Sequence, residues 1–265
     1  MVIFGIVLLI AGAVLWFVRR RQQNRALSLK SARKVTTAEL QSTARAVADE
    51  IGGGDWRDYV KIWGEISVEA PLLSDLKQQP CVYYQFTVQR EYEETVRQKN
   101  ADGEMETHTQ RGSEVLSSHS QSIPFYLHDA SGKVRVEPEG ADIETIEVVN
   151  DFQPGEPGGG LLSYGRFKRT LSLGLGTSDR RTLGYRYRET VLPVGRSVLV
   201  VGAAGDQRDR VAIAKPLTPT QHFIISLKPD EALTQAAERN SQWASWGMIG
   251  CLSGGLLITL IGLFV

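Results

Sequence analysis

Four histidines, two cysteines and several glycine-rich stretches carry the side chains of this 265-residue sequence that could do chemistry. His119 and Ser120 stand close to His128 and Asp129, so one short stretch holds a hydroxyl, two imidazoles and a carboxylate, the components of a hydrolytic triad. No GxSxG elbow surrounds a serine there, and Asp129 opens a turn sequence that accounts for it without catalysis. His119 precedes an apolar strand and reads as a partly buried structural imidazole. His108, His119, His128 and His222 form no HExxH and no i, i+4 pair, and two cysteines cannot complete a zinc set, so no metal site is expected. The glycines of Gly155 to Gly160 lack a following Gly-Lys-Ser/Thr. Gly174 and Gly176 lack the third glycine and the helix of a dinucleotide loop, and no cofactor is expected. Cys81 lies in an alternating apolar run, the place of a small buried hydrophobe more than of a reactive thiol. No residue is assigned a catalytic role.

These residues sit on a chain that reads mainly as β. Val60, Ile62, Ile66 and Val68 alternate, as do Val82, Tyr84, Phe86 and Val88 against Tyr83, Gln85, Thr87 and Gln89. Arg90 to Gln121 is polar around Asn100, Asp102 and Gly103, the pattern of a long hairpin projecting beyond its sheet. Ile123 to Leu127 and Lys133 to Glu137 flank the turn Asp129 to Gly132. Asp151 to Thr182, with PGEPGGG and a serine, glycine and arginine mixture, reads as a surface loop. Short β-type runs follow at Tyr185 to Leu192, Ser197 to Ala203, Val211 to Ala214 and Phe223 to Leu227. A small partly closed barrel or sandwich is the expected fold, since closure removes strand edges.

Helices flank this domain. Thr36 and Glu39 form a capping box ahead of Leu40, Ala44, Val47 and Ile51 at helical spacing, and Gly52 to Gly54 stop the helix. Pro229, with Asp230 and Glu231 beside it, opens a second helix. At the ends, Val2 to Val18 holds seventeen residues without a charge, and Trp246 to Val265 is a longer apolar run. The expectation is a membrane protein with two terminal transmembrane helices, divided into 2–18 (span), 19–58 (basic juxtamembrane segment and amphipathic helix), 59–228 (β domain), 229–245 (connecting helix) and 246–265 (span). Arg19, Arg20 and Arg21 lead a basic stretch that, by the positive-inside rule, places the β domain on the cytoplasmic side of an integral, multi-pass protein in a lipid bilayer. Trp16, Trp243 and Trp246 join those arginines as membrane-interface residues. Gly250 and Gly254 form a GxxxG that packs the second span on the first or on another copy in a homo-oligomer. Thirty basic and thirty acidic residues balance, so charge gives no reason to expect nucleic acid as partner.

One longer pattern goes beyond composition: IWGEI, then APLLS and PCVYYQFTV, HSQSIPFYL with DASGKVRVEP, YRETVLPVGRSVLVVG, and a strand near HFIISL. From about Tyr59 onward it resembles the GIDE family, the mitochondrial ubiquitin ligase activator of NF-κB and its plant chloroplast-envelope and prokaryotic relatives, whose middle is the "beside a membrane" domain. Pro80 with Cys81, His119 with Pro124 and Phe125, and Glu189 with Val194 and Gly195 match best, and the resemblance marks His119 and Glu189 as ligand-binding candidates. In eukaryotic members a RING finger follows the second span and recruits the ubiquitin-loaded conjugating enzyme. A RING needs eight Cys or His ligands, which this sequence does not hold. The resemblance therefore implies a non-catalytic binding, sensing or scaffold module, with a ubiquitin-pathway or stress-response protein as partner. The alternative is an E3 ubiquitin-protein ligase-type protein working with a RING supplied by a partner.

Overall fold

The computed structural model describes residues 2–51, 56–99, 104–155, 160–170, 180–207, 210–233 and 235. In chain order the elements are α1 (Val2–Ser31), β1 (Arg33–Lys34), α2 (Thr37–Ile51), β2 (Arg57–Ser67), β3 (Leu72–Leu73), β4 (Pro80–Lys99), β5 (Met105–Ser122), β6 (Phe125–Asp129), β7 (Gly132–Val136) and β8 (Asp142–Ile143). They continue with β9 (Ile146–Pro154), β10 (Leu161–Tyr164), β11 (Phe167–Thr170), β12 (Arg180–Pro193), β13 (Ser197–Gln207), β14 (Arg210–Ala214) and β15 (Ile224–Ser226). Two compact units interleave along the sequence: the described parts of Met1–Glu65, Leu127–Asp142 and Ser197–Val265 form one, and Ile66–Tyr126 with Ile143–Arg196 the other.

The first unit is a closed barrel. Its ring runs β2-β6-β7-β14-β13 and returns to β2. Numbered along the chain, that order is 1-2-3-5-4-1. The third and fifth strands, β7 and β14, pair in parallel, the arrangement of the five-stranded Greek-key barrels called OB folds. Alternation builds the interior. On β2, Val60, Ile62 and Ile66 are buried while Lys61, Trp63 and Glu65 between them are not. β13 is buried on both faces, with Val198, Val200 and Ala204 on one and Leu199 and Val201 on the other. A Cβ on Gly64 would lie 2.4 Å from the His128 carbonyl oxygen, so β2 and β6 approach at a distance only glycine permits.

The other face of β2 and β13 is covered by the end of α1. Leu29 and Ala32 pack there with Tyr59, Leu199, Val201 and Ile224. Burial of each large apolar side chain contributes about 1.5–3 kcal/mol. Polar groups fix the contact: the Tyr59 hydroxyl donates to the His222 carbonyl at 2.7 Å, lies 2.6 Å from Ser28 Oγ, and the His222 amide donates to Ser28 Oγ at 2.9 Å. Lys61 Nζ donates to the Leu29 carbonyl at 3.1 Å.

This docking bears on the expected spans. α1 does not end where its uncharged residues end; it runs on through Arg19, Arg20 and Arg21 to Ser31, and its last turns are seated on the barrel. Among the described residues no helix is long and apolar enough to cross a membrane. That finding corrects the fold expected, a membrane protein with two terminal transmembrane helices, and the integral, multi-pass, cytoplasm-facing localisation drawn from it. Seventeen uncharged residues stand at the lower limit for crossing hydrocarbon. The longer run at 246–265 lies outside the described residues.

α2 is started by two devices. Thr36 and Glu39 cap each other, with the Thr36 amide donating to Glu39 Oε2 at 2.8 Å and the Glu39 amide to Thr36 Oγ1 at 3.3 Å. Asp129, in the turn between β6 and β7, then takes the Thr37 amide and hydroxyl at 2.8 and 2.6 Å and the Ser131 amide and hydroxyl at 2.8 and 2.7 Å. Burial alone raises the Asp129 pKa, but the bonds from Thr37 and then Ser131 outweigh it and hold the carboxyl at about 2. A carboxyl lowered in this way stabilises the fold fully above its ordinary range, and that stabilisation is lost as pH falls through about 2. We predict that Asp129→Asn lowers stability at neutral pH by about 1–2 kcal/mol and flattens the loss below about pH 4. Urea titrations across that range check it; equal acid sensitivity in both proteins counts against it.

Candidate functional site

The second unit is a five-stranded sheet in which β4 is central: β12 lies on one side with β9 beyond it, and β3 and β5 lie on the other. Its core gathers Cys81, Tyr84, Phe86 and Val88 of β4 with Tyr185, Tyr187 and Val191 of β12. The two candidate ligand residues, far apart in sequence, fall in one cross-strand row. Phe86 pairs with His119 of β5 on one side and with Glu189 of β12 on the other. Directly opposed residues project from the same face. His119 is exposed, with its ring 6.0 Å from those of both Phe86 and Tyr84.

Glu189 is fully buried and its carboxylate is spent inside the protein. It accepts from Ser74 Oγ at 2.8 Å, from the Leu76 amide at 2.7 Å and from the Lys77 amide at 2.8 Å. The turn from Ser74 to Gln79 is thereby folded around one charge, and Ser74 Oγ accepts the Gln79 amide in addition at 3.1 Å. Gln78 holds the turn's one left-handed non-glycine backbone, at φ 59°. Beside it, Cys81 is buried. Burial first, and then the Glu189 charge, push its thiol up to about 11, which leaves it a neutral core group and not a nucleophile. The Tyr84 hydroxyl lies 3.2 Å from Asp75 Oδ2 and 3.1 Å from Gln121 Oε1; burial, followed by the Asp75 charge, raises it to about 12.

A hairpin presses on this turn. β10 and β11 arise where the sequence reads as surface loop, because Leu162 and Phe167 find the core within the glycine-rich stretch. Phe167 meets Phe86 edge-on at 5.4 Å, and Tyr164 stacks on Tyr187 at 4.8 Å. Gly165, at φ +58°, comes so close that a Cβ would lie 2.3 Å from the Leu76 carbonyl oxygen. The Arg166 amide donates to the Asp75 carbonyl at 2.8 Å.

Beyond the core, β4 and β5 continue together. Glu93 pairs with Arg111, opposite it in register, at 3.1 Å, Glu94 with Arg180 of β12 at 2.6 Å, and Glu91 with Arg186 at 2.5 Å. Tyr92 lies under the guanidinium groups of Arg180 at 4.7 Å and Arg90 at 5.6 Å. β5 is exposed along nearly all of its 18 residues. It pairs only with β4 among the described residues, so its outer edge is free.

Asp129 is committed to α2 and its own turn, as described above, while His119 looks out from β5. Trp16 and Arg20 are on α1, the guanidinium 5.5 Å over the indole. Arg19 and Arg21 stand on the same helix. Trp243, Trp246, Gly250 and Gly254 lie outside the described residues. No group of three or more His, Cys, Asp or Glu able to hold a metal occurs among the described residues. The Ser74 turn is the part that sequence reasoning missed. Its only sign is a lone carboxylate within the β-type run Tyr185 to Leu192.

We predict that Glu189→Ala leaves the three donors of the turn without their acceptor and costs about 3 kcal/mol or more, with Glu189→Gln intermediate. Urea unfolding gives the magnitude, and hydrogen exchange at the Leu76 and Lys77 amides gives the place. Unchanged protection there in the alanine variant contradicts the role assigned to Glu189.

A family model described as "GIDE: E3 Ubiquitin ligase" matches residues 93–260, more than half of the chain. A curated relative, E3 ubiquitin-protein ligase SPL1 of Arabidopsis thaliana, is 25% identical over 146 residues. That match takes in 52% of this chain and 39% of the plant protein, so the chain spans well under half the length of that relative. No solved structure matches. A match of that extent makes this chain a member of the GIDE E3 ubiquitin ligase family.

Proposed function

We propose that this chain supplies a partner-binding module of a GIDE-family ligase system, and that it holds an extended segment of a protein partner along the outer edge of β5. The observation that carries this reading is the edge itself: a long, exposed strand held on one side by β4 and by the Glu93–Arg111 ion pair, and whose other side has no strand beside it among the described residues. Main-chain pairing with such an edge supplies affinity, and the outward side chains supply selection. His119 is the exposed member of the Phe86 row and stands where an added strand would pass. Glu189 acts behind it, keeping the Ser74 turn and β4 in place.

Chemistry of transfer is assigned elsewhere. Two cysteines and four histidines fall short of the eight ligands of a RING. The ligase name of the family and of its plant relative then fits an assembly in which a RING comes from a partner, with this chain as its recruiting surface.

The test is proline scanning of the edge. In an antiparallel pair, successive amides point alternately to the neighbouring strand and away from it. Of Thr109→Pro and Gln110→Pro, one therefore removes a bond to β4 and the other only a free-edge donor. A photo-crosslinker at Val115 should capture a partner that the free-edge variant loses while its unfolding midpoint stays put. Ubiquitylation with purified activating and conjugating enzymes should be blank for the chain alone and appear only when a RING protein is added. Capture that survives both prolines, or transfer by the chain alone, rejects the proposal.

A further inference from the structure

The barrel unit carries a cavity on its outer face that the edge of β5 does not involve. It holds about 350 Å³ and is lined by Lys34, Lys61, Trp63, Leu199, Pro229, Asp230 and Glu231. That volume is at the lower end of the range small-ligand sites occupy. Trp63 and Leu199 are register partners on β2 and β13, so one wall is a rigid piece of the barrel. The opposite wall is the start of the helix that follows Pro229, whose first turn is closed by the Leu233 amide donating to the Pro229 carbonyl at 3.1 Å.

Three observations bear on what the cavity takes. Trp63 is 40% exposed, a large aromatic surface left uncovered on a strand whose other face is fully packed. Asp230 presents a partly exposed carboxylate to the cavity wall, with Oδ2 held by Lys61 Nζ at 2.7 Å. Lys34, exposed on β1, contributes an ammonium with no ion-pair partner among the described residues, and Glu231 contributes a second carboxylate. The four charged groups sum to zero, so the site gives no net preference for an anion or a cation, and a ligand carrying both signs can set each of its charges by an opposite one.

We propose that this cavity is a binding site for a small zwitterion with an apolar body, of the class of a free aliphatic amino acid. Its ammonium lies by Asp230 and Glu231, its carboxylate by Lys34, and its side chain on Trp63, Leu199 and Pro229. A ligand seated there joins β2, β13 and the helix after Pro229, so its occupancy sets how firmly that helix is held to the barrel.

The experiment uses the purified full-length chain and tryptophan fluorescence, titrated with L-leucine, with N-acetyl-L-leucine, which lacks the ammonium, and with L-leucinamide, which lacks the carboxylate. Leucine should give a saturable change with a Kd of about 1 mM or below, and each analogue should bind at least about tenfold more weakly. Trp63→Phe should abolish the signal, and isothermal titration of that variant separates loss of reporter from loss of binding. Lys34→Gln alters an exposed side chain only and should weaken leucine by about tenfold while restoring parity with leucinamide. Asp230→Asn should erase the advantage over N-acetyl-leucine. No saturable response to leucine at about 10 mM, or equal binding of all three compounds, overturns the assignment.

Discussion

Closure of the five-strand ring is the constraint on which the rest of this molecule depends. β13 pairs with β2 in unbroken register from Ser197 opposite Glu65 to Gly205 opposite Arg57, and without that seam β2 and β13 are two hydrophobic strands with open edges. The seam also fixes the face on which α1 ends, because Tyr59 and Lys61, whose side chains hold Ser28 and Leu29, project from it. Both excursions of the chain, from β2 to β6 and from β7 to β13, start and finish on barrel strands. The second unit is built from those excursions together with the adjoining ends of β2 and β6.

Within the second unit, a buried charge sets local shape. Transferring a carboxylate into an apolar core costs several kcal/mol unless the charge is met by donors. Glu189 is met by three, and all come from the single turn that leads from β3 to β4. Replacing it with an apolar residue would keep the core filled but leave that turn without a reason to take its shape. The Gly165 contact works in the same sense from outside, since its missing Cβ lets β10 and β11 close against the turn's carbonyl groups. The sheet face that carries His119 thus rests on a substructure whose determinants lie in three separate stretches of sequence.

How much of this was legible in the residues follows from how local each determinant is. The capping box of Thr36 and Glu39 and the turn at Asp129 to Gly132 are short patterns, and α2, β6 and β7 form where those patterns place them. Alternation in Val82 to Val88 marks β4 for the same reason. Legibility fails where partners are distant. Nothing near Glu189 in sequence points to Ser74, and nothing in composition marks where the chain leaves one unit for the other. β10 and β11 were hidden differently: Leu162 and Phe167 are too few among glycine, serine and arginine to give a period, yet each fills a place in the core. The ends show the converse, because hydropathy alone describes the first eighteen residues and is silent on the docking of Ser28 and Leu29.

The seam between β2 and β13 has a consequence for biogenesis. A ribosome delivers residues 57–67 long before residues 197–207, so for most of synthesis β2 has no partner on that side. The hairpin of β4 and β5, whose strands are neighbours in sequence, has no such wait. Until the last barrel strands emerge, the nascent chain carries an unpaired strand edge of the kind that joins wrong partners or recruits chaperones.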